Sequence, residues 1–208
     1  MTGDGTRGDL VALLQQDHAE TRRLLEEFPT LEEEQRQEAF PYIVRTLVGH
    51  EAAEELVVYP ALRAAAAGGA ALAHDRIEEQ HRAERLLAEL EHTQVDDATF
   101  EASFRMLEQY VLEHADEEEQ TVFPLLSVNL GDSERRRLAE RYLRAKRQAP
   151  THAHPASPHV APMMQTAGFL DRVRDTVTLR NTPRLRRAVR RRELAALLER
   201  PPWRPRHG

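Results

Sequence analysis

Two pairs of residues sit at spacings that suit shared chemistry. His50 is followed four residues later by Glu54, and His114 four residues later by Glu118. Residues four apart lie on one helical face, so each pair offers an imidazole and a carboxylate to a common point. Two further histidines, His18 and His81, fall on helix-periodic stretches of their own. One histidine on an apolar face is ordinarily a satisfied core residue. Six such groups buried without partners would be strongly unfavourable, because charge taken out of water must be compensated. A bound pair of divalent or trivalent cations supplies that compensation. The chain has no cysteine, which excludes disulfides, thiolate zinc sites, iron–sulfur clusters and a cysteine nucleophile. Any metal must therefore take nitrogen and oxygen ligands, drawn from 10 histidines and 35 acidic residues.

Helices must position these groups. Charged residues make up 31% of the 208 residues and aromatics only 5%, with 9 glycines, which favours helices over a turn-rich sheet protein. Leu10, Leu14, His18, Thr21, Leu25 and Phe28 follow a 3–4 spacing, closed by Pro29. Val44, Leu47, His50, Glu54, Val57 and Ala61 form a second stripe, with Pro41 near its start and Gly68-Gly69 at its end. A third stripe reads Ile77, His81, Glu84 and Ala88. After Asp96-Asp97, which offers an N-cap, a fourth reads Leu107, Val111, His114, Glu118, Val122 and Leu125. A shorter fifth helix, capped by Asp132 or Ser133, runs to about residue 146. Short connections imply antiparallel neighbours, hence an all-α, up-and-down four-helix bundle.

An internal repeat orders the bundle. His50-xxx-Glu54-Glu55-xxx-Tyr59-Pro60-Ala61-Leu62 recurs as His114-xxx-Glu118-Glu119-xxx-Phe123-Pro124-Leu125-Leu126, every position offset by 64. Gln16-Asp17-His18 recurs as Glu79-Gln80-His81, with the histidine offset by 63. Two helical hairpins related by a pseudo-twofold axis would bring all four histidines toward that axis.

With these residues in hand, the pattern H…HxxxE…H…HxxxE resembles the hemerythrin-like HHE cation-binding domain over about residues 9–130. The resemblance implies an antiparallel four-helix bundle holding two non-haem iron ions, oxo- or hydroxo-bridged. It implies that His18, His50, His81 and His114 are terminal ligands and that Glu54 and Glu118 bridge. Manganese or zinc would also suit nitrogen and oxygen donors. The family's oxygen carriers have a fifth histidine, four residues from another on the third helix. The corresponding neighbours of His81 here are Ile77 and Arg85. The resemblance thus implies a more open and more symmetric site, better suited to oxidising or reducing a small ligand than to reversible transport. The function expected is binding or sensing a small ligand such as O2 or NO, or a part in iron and redox homeostasis. The alternative is a catalase- or peroxidase-like enzyme that removes hydrogen peroxide. Glu84, Tyr110 and Glu51 are additional donor candidates near the stripes, whereas Glu55, Glu117 and Glu119 read as solvated. Tyr59-Pro60 and Phe123-Pro124 read as packing and helix-capping elements.

The remainder of the chain has a different character. Residues 1–148 form the expected bundle, 149–162 a Pro- and His-rich linker, and 163–208 an Arg-rich, partly helical extension. That extension has 12 arginines against 4 acidic residues, a net of +8, while residues 1–162 carry −14. Self-docking on the acidic body is the first expectation and an acidic partner the second. Nucleic acid and membrane are disfavoured, since Trp203 alone offers stacking and no groove-reading motif accompanies it. The chain shows neither a basic and apolar leader nor a long apolar run, so a soluble, cytoplasmic protein is expected.

Overall fold

Helices begin and end where local chemistry dictates, and the computed structural model describes them over residues 8–153. The linker beyond Ala153 and the Arg-rich extension lie outside the described residues. Helix α1, Leu10–Glu27, starts at Asp9, whose carboxylate accepts the Val11 N–H at 2.9 Å. A short 3-10 turn at Phe28–Thr30 ends it. Helix α2 runs continuously over 33–65 and α3 over Gly69–Leu90. Helix α4 runs over 98–129, capped by Asp97, which accepts the Thr99 N–H at 2.7 Å. Helix α5, Asp132–Gln148, has Gly131 rather than Asp132 or Ser133 at its N-cap. No strand occurs among the described residues, and none of their helices is long and apolar enough to cross a membrane. The fold is all-α among the described residues, as the sequence leads one to expect.

Two features of α2 and α3 depart from the sequence reading. Helix α2 begins at Glu33, so Pro41 lies inside it rather than near its start. The burial of Phe40, Ile43 and Val44 around that proline carries the helix through the missing N–H. On α3 the buried face is Ala73, Arg76, Gln80, Ala83, Glu84 and Leu87. The Ile77–His81–Ala88 line is therefore rotated off the core. Gly69 fixes this rotation from one end, because a Cβ there would stand 2.3 Å from the Leu62 carbonyl oxygen. Gly68, with φ of 76°, makes the reversal just before it.

Both long helices widen at matching places. Helix α2 is α-helical to Ala53, forms a π-turn over Glu54–Val58, and resumes as Tyr59–Ala65. Helix α4 does the same, with its π-turn at Glu118–Val122 and a final segment Phe123–Asn129. Each turn closes with the N–H of residue i+5 on a glutamate carbonyl, Tyr59 to Glu54 and Phe123 to Glu118. The cause lies one residue further on. Pro60 and Pro124 lack an N–H, and their rings crowd the preceding turn, which the wider winding relieves. The extra residue swings Tyr59 and Phe123 inward and moves the apolar stripe from Ala61 and Leu125 to Leu62 and Leu126.

The core is in two parts. One apolar cluster gathers Leu24, Phe28, Phe40, Leu47, Phe100 and Phe104. The other gathers Leu10, Leu14, Val57, Leu62, Leu126 and Tyr142. Between them, at mid-height of the helices, lies a buried polar layer containing His18, His50, Glu54, Gln80, His114 and Glu118. Helix α5 packs across α1 and α2 and closes the second cluster.

The cap of α1 is also tied to α5, since Arg135 Nε donates to Asp9 Oδ2 at 2.6 Å. Partial burial opposes ionisation of Asp9, but the Arg135 hydrogen bond and the two capped N–H groups hold its carboxyl below the usual range. Asp9→Ala is expected to lower unfolding free energy by about 1–2 kcal/mol in urea titration near neutral pH. Because the folded carboxyl is the stronger acid, this contribution is present above the unfolded value. It disappears as pH falls through the folded one, so wild type and variant should converge in acid.

Candidate metal centre

Four helices contribute one residue each to the heart of the polar layer. His18 comes from α1, His50 from α2, Gln80 from α3 and His114 from α4. Glu54 and Glu118 enter from the starts of the two π-turns and are fully buried. Ligand atoms of His18, His50, Glu54 and Glu118 all lie within 4.8 Å of one another. His18 Nε2 is 3.3 Å from Glu118 Oε2, and His50 Nε2 is 3.0 Å from Glu54 Oε1. His114 Nε2 stands 3.7 Å from Glu118 Oε2. Gln80 Nε2 donates to Glu54 Oε2 at 2.6 Å, and the Tyr59 hydroxyl donates to Glu118 Oε1 at 3.0 Å.

The imidazoles are held from behind. His18 Nδ1 bonds Glu119 at 2.9 Å, and Glu119 is itself fixed by Arg22 at 2.7 Å. His114 Nδ1 bonds Glu79 at 3.1 Å, which Arg76 grips at 2.7 Å. His50 Nδ1 meets the Tyr142 hydroxyl at 2.7 Å, and that hydroxyl donates to Asp17 at 2.6 Å, with Lys146 on the same carboxylate oxygen. Each outer partner is an acceptor, so each Nδ1 carries the proton and each Nε2 turns a lone pair inward.

That orientation decides what the centre can hold. His18 Nε2, Glu54 Oε1 and Glu118 Oε2 are buried with no hydrogen-bond partner. Beside them lies a cavity of about 20 Å³, lined by His18, His50, Glu51, Gln80 and His114, with room for little more than a water-sized group. In the metal-free protein, burial and the neighbouring Glu118 push the Glu54 carboxyl well above its ordinary range. One proton thus serves the pair. Burial, then the nearby carboxylates, raises Tyr59 and Tyr142 well above the usual phenol range, so both hydroxyls remain donors. Oxygen and imidazole donors with one proton between the carboxylates fit a cation of the first transition row, which would take that proton's place.

The structure brings five of the six sequence-derived ligand candidates to this layer: His18, His50, Glu54, His114 and Glu118. It does not bring His81. That side chain is 34% exposed, its Nε2 lying 3.6 Å from Glu55. The reason is the rotation of α3, which gives the inward position to the preceding residue, Gln80. Of the additional donors, Glu84 and Glu51 are buried and Glu51 lines the cavity, while Tyr110 is 36% exposed. Glu119 is partly exposed and also supports His18. Tyr59 and Phe123 face the centre rather than capping helix ends, and Phe123 stacks on the His18 ring at 5.1 Å. One sequence signal marks Gln80. Aligning Leu24-Leu25 with Leu86-Leu87, an offset of 62, sets His18 against Gln80 and Asp17 against Glu79.

The hemerythrin HHE cation-binding domain matches residues 9–126, more than half of the chain, and the protein belongs to that family. It is 29% identical over 134 residues to an uncharacterized hemerythrin-like protein of Schizosaccharomyces pombe, covering 62% of this chain and 66% of the relative. It is 28% identical over 135 residues to a DNA nickase of Nostoc sp., covering 64% of this chain and 38% of that protein. The chain thus spans less than two thirds of either relative. No solved structure matches. Helix α5 lies beyond the family match, although its Tyr142 and Lys146 support His50 and Asp17.

Because Glu54 is already disposed to be neutral without metal, Glu54→Gln should leave the metal-free protein within about 1 kcal/mol of wild type. The rise in melting temperature on adding Fe(II) or Zn(II) should be lost in that variant. Differential scanning calorimetry of both proteins, with and without metal, checks this.

Proposed function

We propose that the protein is a non-haem di-iron member of its family that binds or senses a small ligand such as O2 or NO. The observation that supports this most is the unpartnered, buried Nε2 of His18, set with the Nε2 atoms of His50 and His114 beside two fully buried carboxylates. His18, His50 and His114 would serve as terminal donors, and Glu54 and Glu118 as carboxylates shared across the axis. Bound iron would supply redox chemistry and an open coordination position for a diatomic ligand. The residues around it do the rest. Glu119, Tyr142 and Glu79 keep the three imidazoles in the Nδ1–H form, and Tyr59 and Gln80 orient the carboxylates. Leu47, Ala83 and Val111 line the cavity and keep it to the size of a small molecule.

A second reading, peroxide removal, draws support from Gln80. An amide where the sequence reading expected an imidazole leaves the centre with fewer strong donors, hence more open. Steady oxygen evolution from hydrogen peroxide by metal-loaded protein would favour this enzyme. A stable, reversible spectral change with O2 or NO would favour ligand binding. The match to the Nostoc DNA nickase covers 38% of that protein, and its activity is not carried over.

Metal analysis of freshly purified protein, together with its optical spectrum, tests the first reading. Near two irons per chain and a charge-transfer band that changes with ligand are expected. His50→Ala and His114→Ala should each lose metal, since each removes a donor and disturbs the HxxxE pair it belongs to. Full iron occupancy in either variant would contradict the ligand assignment.

A further inference from the structure

The bundle's pseudo-twofold symmetry is kept by the supports and broken at one donor. Offset by 62 on α1 and α3, and by 64 on α2 and α4, the residues around the centre fall into corresponding pairs. Asp17, which anchors His50 through Tyr142, corresponds to Glu79, which anchors His114. His18, whose Nε2 faces Glu118 at 3.3 Å, corresponds to Gln80, whose Nε2 faces Glu54 at 2.6 Å. Glu119, which holds His18 from behind, corresponds to Glu55. With no ring nitrogen on Gln80 to hold, Glu55 instead faces His81 at 3.6 Å.

We propose that this asymmetry makes the two metal positions unequal, and that Gln80 is the α3 donor of the weaker one. This deepens the reading above and rests on it. The stronger position lies among His18, His50, Glu54 and Glu118, whose donor atoms converge within 4.8 Å. The weaker position lies on the His114 side, where α3 offers a carboxamide in place of an imidazole. Gln80 is only 2% exposed, and its Oε1 has no hydrogen-bond partner. Its Nε2 is 3.4 Å from His114 Nε2, so the amide and this imidazole border the same space. A half-turn of the amide, which gives up its bond to Glu54, brings its unpartnered oxygen to that space. A carboxamide oxygen is a neutral and comparatively hard donor, a weaker partner than imidazole for later first-row divalent ions. The first cation therefore binds tightly. The second is held by His114, the shared carboxylates and Gln80, and it exchanges readily.

The test is an anaerobic calorimetric titration of the metal-free full chain with Fe(II), and with Zn(II) as a redox-inert probe. Metal content is then measured after desalting. Two steps are expected, the second at least about tenfold weaker and lost on desalting. Gln80→His should tighten the second step at least about tenfold and leave the first unchanged. Gln80→Leu should abolish the second step alone, its retained first step showing that the bundle has folded. His81→Ala should change neither step. Two equal steps in the wild type, or loss of the second step in His81→Ala with none in Gln80→Leu, would overturn the inequality but leave the di-metal reading standing. Absence of any metal binding would overturn both.

Discussion

Everything in this bundle is arranged around acceptors that face acceptors. Three imidazole lone pairs and two carboxylates meet in a layer sealed between apolar clusters, where water cannot screen them. Buried lone pairs without donors are strongly unfavourable, and a lone proton on Glu54 answers only part of the demand. A cation answers all of it at once. The layer thus trades stability of the metal-free protein for affinity, and the energy for holding it open comes from the two apolar clusters on either side.

The supports explain why the lone pairs point inward at all. An isolated imidazole can turn either nitrogen to a partner, so the choice is made by what stands behind it. Glu119, Glu79 and Tyr142 each make that choice for one ring, and Arg22, Arg76 and Asp17 make it for the supports. Of the two chains that end on arginine, one reaches the bundle surface at Arg22 and the other ends on the buried Arg76. The third runs through α5 to Lys146, so a helix outside the family match contributes directly to the centre's geometry.

The sequence was most legible where a residue's spacing and its role coincide. The HxxxE pairs sit on helices that are regular up to their glutamates, so periodicity located His50, Glu54, His114 and Glu118 and the bundle itself. It was misleading where local winding or rotation differs from the ideal. Pro60 and Pro124 drive the π-turns that swing Tyr59 and Phe123 inward, and a constant period of 3–4 residues cannot register an inserted one. On α3 the histidine attracted the stripe to itself. The rotation is set by Gly69 against Leu62 and by the burial of Ala83 and Leu87, contacts between distant parts of the chain. Tyr142 and Asp17 lie 125 residues apart, and their pairing exists only in the folded molecule.

The most direct measurement of the central claim is histidine side-chain 15N NMR of the full chain, recorded metal-free and with diamagnetic Zn(II). The account expects His18, His50 and His114 in the Nδ1–H form without metal, their Nε2 signals shifting on addition, and His81 unmoved. Nε2–H tautomers at those three rings, or Nε2 signals indifferent to metal, would contradict it.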